Sequence, residues 1–290
     1  MIRVLATDGM EKAAVEDLKN SGFEVVEQFY EPEELKEQIK NFDVVVVRSA
    51  TKVRQPIIDA ALETKKLKLV IRGGVGVDNI DVDYAKMNGI EVRNTPNASS
   101  ASVAELTIGH MFAMARYINI SNVTMREGKW NKKKYEGIEL NGKTLGLVGF
   151  GRIAREVAKR AKALGMNVIY TDIFGPFEGF EEFKFMTLDE LISISDFISV
   201  HIPAAPDKKP VIAADQISKM KDGVFIVNCA RGGVVSENAL LDALDSGKVA
   251  GAALDVFEEE PTKNERLLKH EKVSLTPHIG AATKEAQGRI

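Results

Sequence analysis

Two doubly wound α/β halves, each built on a parallel sheet, are the architecture this sequence predicts, and three observations carry it. Short apolar runs alternate with helical patterns along almost all of the 290 residues, which is how βαβ units read in sequence. A glycine turn, Gly149-Phe150-Gly151-Arg152-Ile153-Ala154, follows the apolar positions Leu145, Leu147 and Val148 and opens a helical stretch. A further apolar run over 166–171 then ends in Asp172, giving strand, turn, helix, strand and acid in the order of a dinucleotide site.

In the first half, strands are expected at 2–6, 25–29, 44–47, 67–71 and 90–92, with helices at 11–20, 32–40, 56–62 and 82–88. Pro32 opens its helix, where a missing N–H costs nothing. Gly22 and Gly89 sit where helices end. A long helical pattern over 103–126 follows. Its Leu106, Ile108, Met111, Phe112 and Met114 are apolar on more than one face, which predicts burial between layers or at a subunit contact. The change of domain is placed just before it, near Thr95. In the second half, strands are expected at 145–148, 168–171, 197–202, 224–228, 251–256 and 273–275. Thr187 and Glu190 form a capping box, and Ser236 caps a helix over 237–245.

Within the glycine turn, Gly149 permits the tight bend and Gly151 lets the backbone approach a pyrophosphate. Ala154 is small enough for close helix–strand packing. The amides of Arg152 and Ile153 open the helix, where free N–H groups and the positive dipole end favour phosphate. Asp172, about 20 residues on, is placed to accept ribose hydroxyls and repel a 2′-phosphate. Ile173-Phe174 supply no arginine for such a phosphate, so NAD is expected over NADP.

A formal charge of −3, 28% charged and 44% hydrophobic residues describe an ordinary globular chain and give no reason to expect nucleic-acid binding. The start turns polar too early for a signal peptide, and no apolar run is long enough to span a bilayer. Cys229 is the only cysteine, so there is no intrachain disulfide, and a cytoplasmic protein is expected. No metal site is expected.

Ligands of open α/β sheets bind beyond the carboxyl ends of the strands, and reactive side chains collect there. Arg48 follows the third run, Gly73-Gly74 the fourth, and Arg231 the run ending Val227-Asn228-Cys229-Ala230. Glu260 comes shortly after Asp255-Val256, and His278 after Leu275-Thr276-Pro277. Of the four histidines, His110 reads as packed core, His201 as structural or cofactor-lining, and His270 as solvated surface. His278 alone sits at a strand end with no helix to absorb it, and the residues by themselves leave a catalytic role open. Glu260, in an acid run from Glu258, reads as solvent-facing or functional.

Asn228-Cys229-Ala230-Arg231-Gly232-Gly233, Asp255-Val256-Phe257 through Glu260-Pro261, and Thr276-Pro277-His278-Ile279-Gly280 resemble the Arg, Glu and His motifs of the D-2-hydroxyacid dehydrogenases. Arg48-Ser49-Ala50-Thr51-Lys52-Val53 and Leu140-Asn141-Gly142-Lys143-Thr144-Leu145-Gly146 are most similar to the phosphoglycerate dehydrogenase branch. The resemblance implies a Rossmann-type NAD-binding domain, 95–282, inserted into a discontinuous flavodoxin-like substrate domain, 1–94 plus 283–290, with homodimerisation through the former. It implies His278 as the base that takes the hydroxyl proton as hydride leaves C2, Glu260 as the partner that orients the ring and stabilises its charged form, and Arg231 as the fork for the substrate carboxylate.

By the same resemblance His201, Pro203, Cys229, Ala230, Asp255, His278 and Gly280 line the cofactor, Cys229 as a small neighbour and not a nucleophile. Arg48, Ser49 and Asn94, with Lys52 as an addition, face a phosphorylated 2-hydroxy acid, and the amides from Gly73 and Gly74 to Gly76 hold its carboxylate. Arg48 also reads as a surface arginine at a strand end. Lys129 and Lys132 to Lys134 read equally as a solvated basic face or as a segment reaching a neighbouring subunit.

The implied reaction is oxidation of 3-phospho-D-glycerate to 3-phosphohydroxypyruvate with NAD, the entry to serine synthesis. The alternatives are a glyoxylate/hydroxypyruvate reductase or related D-2-hydroxyacid dehydrogenase, and an NAD(H)-sensing, corepressor-like binding protein. Three departures from the family pattern stand out: Ala154 for the third glycine, a segment 204–210 without the usual threonines, and an end at Ile290 early in the closing helix. The last leads to the expectation of no C-terminal regulatory domain and no serine feedback through one.

Overall fold

Runs rich in β-branched residues become strands because such side chains fit a covered, pleated surface. In a computed structural model describing residues 1–290, the first five strands are β1 (Arg3–Ala6), β2 (Glu24–Glu27), β3 (Val44–Val47), β4 (Leu69–Arg72) and β5 (Glu91–Asn94). They pair in the order β2-β1-β3-β4-β5, all parallel. That order is the flavodoxin-like one, and it reverses between β1 and β3. The connecting helices are α1 (Lys12–Asn20), α2 (Pro32–Gln38), α3 (Gln55–Leu62) and α4 (Val82–Met87). Leu5, Val45, Val47, Ile58 and Val70 are fully enclosed in this core.

The chain divides into two compact units, Met1–Ser99 with Ala282–Ile290, and Ser100–Ala281. Residues 95–99 stay with the first unit, so the chain leaves it at Ser100 and not at Thr95. The reason is local: Thr95 N–H donates to Gly74 O and Gly74 N–H donates to Thr95 Oγ1, at 3.0 and 2.8 Å.

The second unit contains α5 (Ser100–Ala115) and α6 (Ile118–Arg126). One helix was expected over 103–126; the structure breaks it. Tyr117 adopts a left-handed conformation with φ 54°, and the Ala115 carbonyl accepts from Ile138 N–H at 2.9 Å instead of continuing the helical ladder. The all-round apolarity of α5 has a plain origin. It packs against the helix after the glycine turn and against three strands of the sheet, which buries Ala104, Met111 and Ala115.

Seven parallel strands follow: β6 (Thr144–Val148), β7 (Asn167–Thr171), β8 (Lys184–Phe185), β9 (Phe197–Val200), β10 (Val224–Asn228), β11 (Val249–Leu254) and β12 (Val273–Leu275). Six were expected; β8 is a two-residue edge strand, too short to leave an apolar run. The sheet order is β12-β11-β10-β9-β6-β7-β8. Strands β6 to β11 therefore run in the 3-2-1-4-5-6 Rossmann order, with the reversal between β6 and β9. Helices α7 (Arg152–Ala163), α8 (Leu188–Ile194), α9 (Ala214–Lys219), α10 (Glu237–Ser246) and α11 (Glu265–Leu268) complete this unit. A last helix, α12 (Lys284–Arg289), belongs to the first unit, where Arg289 Nε donates to Ala98 O at 2.9 Å. No helix is long and apolar enough to cross a membrane.

Candidate active site

The nucleotide turn lies at the carboxyl end of β6, beside the reversal of strand order. Gly149 has φ 87°, and a Cβ built there would sit 2.5 Å from Ile202 Cγ2 and 2.6 Å from His201 O, so no other residue fits. At Gly151, the residue capping α7, an added Cβ would meet nothing within 4 Å. A side chain would fill open space directly before the helix N-terminus, which is the space a pyrophosphate takes. Arg152 and Ile153 begin the helix, and Ala154 is fully buried.

Asp172 follows β7. Its Oδ2 accepts from Phe150 N–H at 2.8 Å and its Oδ1 from Phe174 N–H at 3.0 Å. The acid is thus pinned to the glycine turn while each oxygen keeps a further lone pair. Ile173 and Phe174 are solvent-exposed, with no cation beside Asp172 in sequence. The residues present fit a dinucleotide without a 2′-phosphate.

Three loops carry the expected acid–base residues, and all belong to the second unit. His278 Nδ1 lies 2.7 Å from Glu260 Oε2. A carboxylate can only accept, so Nδ1 carries a proton, and in the neutral ring Nε2 then keeps the lone pair that a general base requires. Glu260 is held from its other side, because Oε1 accepts from Phe257 N–H at 3.1 Å. Despite its acid run, Glu260 is therefore a paired group.

His278 itself has φ 52°, a left-handed backbone that costs a non-glycine residue roughly 1–2 kcal/mol. Its surroundings impose it. Asp255, almost fully buried, accepts at Oδ1 from Thr276 Oγ1 (2.6 Å) and Ile279 N–H (2.8 Å), and at Oδ2 from Gly280 N–H (2.8 Å). The carboxylate thus clamps the loop on both sides of the histidine. This is a different task from the cofactor contact expected of Asp255 and Gly280, whose side chain and amide are engaged with each other.

The Arg231 loop is shaped by buried Asn228, whose Oδ1 accepts from Ala230 N–H at 3.0 Å and whose Nδ2 donates to Arg231 O at 2.9 Å. Gly232 lets this loop lie on the next one: a Cβ there would fall 1.7 Å from Phe257 O. The Glu260 loop is fixed in turn by a reciprocal clasp. Glu237 N–H donates to Glu258 Oε1 and Glu258 N–H to Glu237 Oε1, at 3.0 and 2.8 Å. Asn228 opens the Arg231 motif but carries no expected role of its own, and Glu237 does not stand out in the sequence, since it acts on backbone 21 residues away. Arg231 is half-buried and bonds Ala230 O through Nη1 at 2.6 Å.

Burial sets the state of two neighbours. His201 bonds Ser199 Oγ through Nε2 at 2.9 Å, and desolvation pushes its pKa down to about 4, so it is neutral near pH 7. Pro203 follows it in an exposed loop. Cys229 is buried, and desolvation, with the charge of Asp255, pushes its thiol up to about 12. It is a thiol and no nucleophile. His110 is core, as expected, yet both of its ring nitrogens are hydrogen-bonded.

Arg48, Ser49, Gly73, Gly74 and Asn94 belong to the first unit. Arg48 N–H donates to Asp8 Oδ2 at 2.7 Å, and Thr51 bonds the same carboxylate through its amide and hydroxyl. Asn79 Nδ2 holds Arg48 O and Thr51 O, each at 2.7 Å. The backbone around Arg48 is therefore fastened, while its guanidinium makes no ion pair or hydrogen bond within the chain. Ser49 is exposed beside it.

The amides of Gly73 and Gly74 do not fit the role expected of them. They donate to Val47 O and Thr95 Oγ1, both at 2.8 Å. In that turn the amides of Val75 and Gly76 make no internal bond, and Asn94 Nδ2 holds Val75 O at 2.6 Å. Lys129 pairs with Glu127 and Lys134 with Glu271, all exposed.

Comparison with known proteins agrees with this geometry. Residues 108–280 match the family described as "D-isomer specific 2-hydroxyacid dehydrogenase, NAD binding domain". The chain is 49% identical over 290 residues to the D-3-phosphoglycerate dehydrogenase of Methanocaldococcus jannaschii, covering 99% of this chain and 55% of that protein. It is 50% identical over 292 residues to the hydroxypyruvate reductase of Thermotoga maritima, covering 99% and 94%. The chain thus spans about half the length of the phosphoglycerate dehydrogenase and nearly all of the reductase. Among solved structures, a glyoxylate reductase from Paecilomyes thermophila is similar with a TM-score of 0.90 and 34% identity, over 99% of this chain and 91% of that one. With a glycine turn and acid suited to NAD and a histidine–glutamate pair on the same unit, the chain belongs to the D-isomer specific 2-hydroxyacid dehydrogenase family.

Proposed function

We propose that the protein oxidises 3-phospho-D-glycerate to 3-phosphohydroxypyruvate with NAD. The observation that carries the chemistry is the 2.7 Å contact of His278 Nδ1 with Glu260 Oε2, which leaves Nε2 to take the C2 hydroxyl proton. The bound nicotinamide would supply the hydride acceptor. Glu260 then faces an imidazolium and stabilises it by charge, and in the reverse direction the same Nε2–H returns the proton to the carbonyl oxygen. Arg231 offers a planar fork for the carboxylate and the developing carbonyl. Gly149, Gly151 and the first turn of α7 would hold the pyrophosphate, and Asp172 the ribose.

What supports a phosphorylated substrate is the unpaired guanidinium of Arg48 on a backbone fixed by Asp8 and Asn79. An arginine with its backbone anchored and its guanidinium unspent, with Ser49 adjacent, offers a planar fork of donors to a phosphate. The amides of Val75 and Gly76 are the donors in that turn available for a carboxylate.

A second reading, reduction of hydroxypyruvate or glyoxylate, is supported by the near-complete overlap with the hydroxypyruvate reductase. Initial rates of NADH consumption with phosphohydroxypyruvate, hydroxypyruvate, glyoxylate and pyruvate decide between them. The highest kcat/KM is expected for phosphohydroxypyruvate, and a preference for an unphosphorylated acid rejects the proposal. We place the reaction in the cytoplasm, at the entry to serine synthesis, in a homodimer. Size by light scattering tests the last.

A further inference from the structure

Helix α5 carries a histidine into the back of the loop that bears His278. His110 is 3% exposed, with Nδ1 2.9 Å from Ser274 Oγ and Nε2 2.9 Å from Thr276 Oγ1. Ser274 lies in β12 and Thr276 just beyond it. The period of two puts their side chains on one face of the strand, so one imidazole bridges both.

The direction of every bond in this cluster can be worked out from hydrogen counting. Asp255 Oδ1 accepts from Thr276 Oγ1 at 2.6 Å, and a carboxylate has no proton to give. Thr276 spends its only hydroxyl proton there, so it can only accept from His110, and His110 Nε2 carries a hydrogen. Burial lowers the pKa of His110, more than the nearby Asp255 raises it, which keeps the ring neutral. Nδ1 is then an acceptor, and the buried Ser274 hydroxyl donates to it. The chain runs one way: Ser274 O–H to His110 Nδ1, His110 Nε2–H to Thr276 Oγ1, Thr276 O–H to Asp255 Oδ1. Asp255 in turn holds the amides of Ile279 and Gly280, directly after the left-handed His278.

We propose that His110, oriented by Ser274 and acting through Thr276 and Asp255, is a positioning residue that holds the His278 loop in its working conformation. The proposal rests on His278 being the base, as argued above. Its logic is that a donor at position 110 keeps the Thr276 proton on Asp255. Without one, the hydroxyl is free to turn away, Oδ1 loses one of its two donors, and the strained loop loses part of the clamp that fixes it. Aligned hydrogen bonds also polarise one another, which strengthens the end of the chain nearest Asp255.

The experiment has two arms on the intact protein. Long-range nitrogen–proton correlation at neutral pH reads the His110 tautomer directly, without substrate. The neutral Nε2–H form is expected; an Nδ1–H or doubly protonated ring overturns the proposal. In the kinetic arm, His110→Leu is expected to lower kcat on the order of tenfold, as a modest displacement of a base does. KM for the 2-oxo acid and Kd for NADH are expected to stay within about twofold, and His110→Gln, which can still donate to Thr276, to recover most of the lost rate. A His110→Leu protein that is folded by circular dichroism with unchanged kcat overturns the proposal. So does one in which NADH affinity falls along with kcat, which marks a packing role. Because the tautomer is read without turnover, failure of the dehydrogenase reading and failure of the hydrogen-bond chain give separate signals.

Discussion

Gly232→Ala isolates the geometry that ties the arginine loop to the glutamate loop. An alanine Cβ at this position would lie 1.7 Å from Phe257 O, whereas ordinary contact begins near 3.4 Å. About 1.7 Å must be made up by moving one backbone segment away from the other. Overpacking of this kind costs roughly 1–3 kcal/mol, and a backbone oxygen as the obstacle places it near 3. That is a sizeable part of a total stability of roughly 5–15 kcal/mol, and it corresponds to a Tm lowered by about 6–12 °C at roughly 2–4 °C per kcal/mol.

The functional effect is expected to be larger. Phe257 N–H holds Glu260 Oε1, and Glu260 Oε2 holds His278 at 2.7 Å, so displacement of Phe257 is passed to the imidazole. A misplacement of about 1 Å costs about 100-fold in rate, close to 2.7 kcal/mol of barrier. Gly233→Ala is the control. Unlike Gly232 it is left-handed, with φ 79°, but an added Cβ meets nothing within 4 Å, so about 1–2 kcal/mol of backbone strain is expected with kcat unchanged. NADH-linked initial rates and thermal melts of both variants are the assay, with NADH binding followed by fluorescence. Equal kcat for the two variants would show that the Gly232–Phe257 contact does not transmit to the base.

His278→Ala is expected to lower kcat by about 10²–10⁴-fold while leaving NADH binding within about threefold; loss of both points to a collapsed loop instead. Asp172→Ala removes the acceptor pinned to Phe150 N–H and is expected to weaken NADH by about 10–100-fold and narrow the preference over NADPH. Unchanged discrimination in titrations of both nucleotides rejects the role. Arg48→Ala is expected to raise KM for the phosphorylated acid by about 10–100-fold with little effect on hydroxypyruvate, and equal effects on both remove the phosphate contact. His201 supplies a pH dependence. It is held neutral with its pKa near 4, against 6.5 in an unfolded chain, so below pH 6.5 the unfolded state binds the extra proton. The folded state loses up to about 3 kcal/mol as pH falls from 6.5 to about 4. Urea titrations should show a shallower loss in His201→Asn, and identical slopes in both proteins contradict the assignment.

The alternation of apolar runs and the strand–glycine–helix–strand–acid order already specified two wound parallel sheets and a dinucleotide turn, because both rest on local rules. A strand needs its own apolar positions, and a turn needs its own glycines. The family motifs named Arg231, Glu260 and His278 as candidates, and the fold brings Glu260 onto His278. Wherever a decision depended on distant backbone, the sequence was silent or misleading. The Ile138 amide, 23 residues on from the carbonyl it takes, interrupts a helical pattern that reads as continuous at Ala115. Gly73 and Gly74 look like free donors until Val47 and Thr95 are folded against them. The acid run at Glu258 separates into a clasp on Glu237 and a partner for His278 only once three loops meet. His110 reads as filler for the same reason: the hydroxyls that give its ring a direction lie 164 and 166 residues away. Local pattern settles what each segment becomes, while hydrogen bonds between remote segments settle which polar groups are spent inside the protein and which are left to meet a ligand.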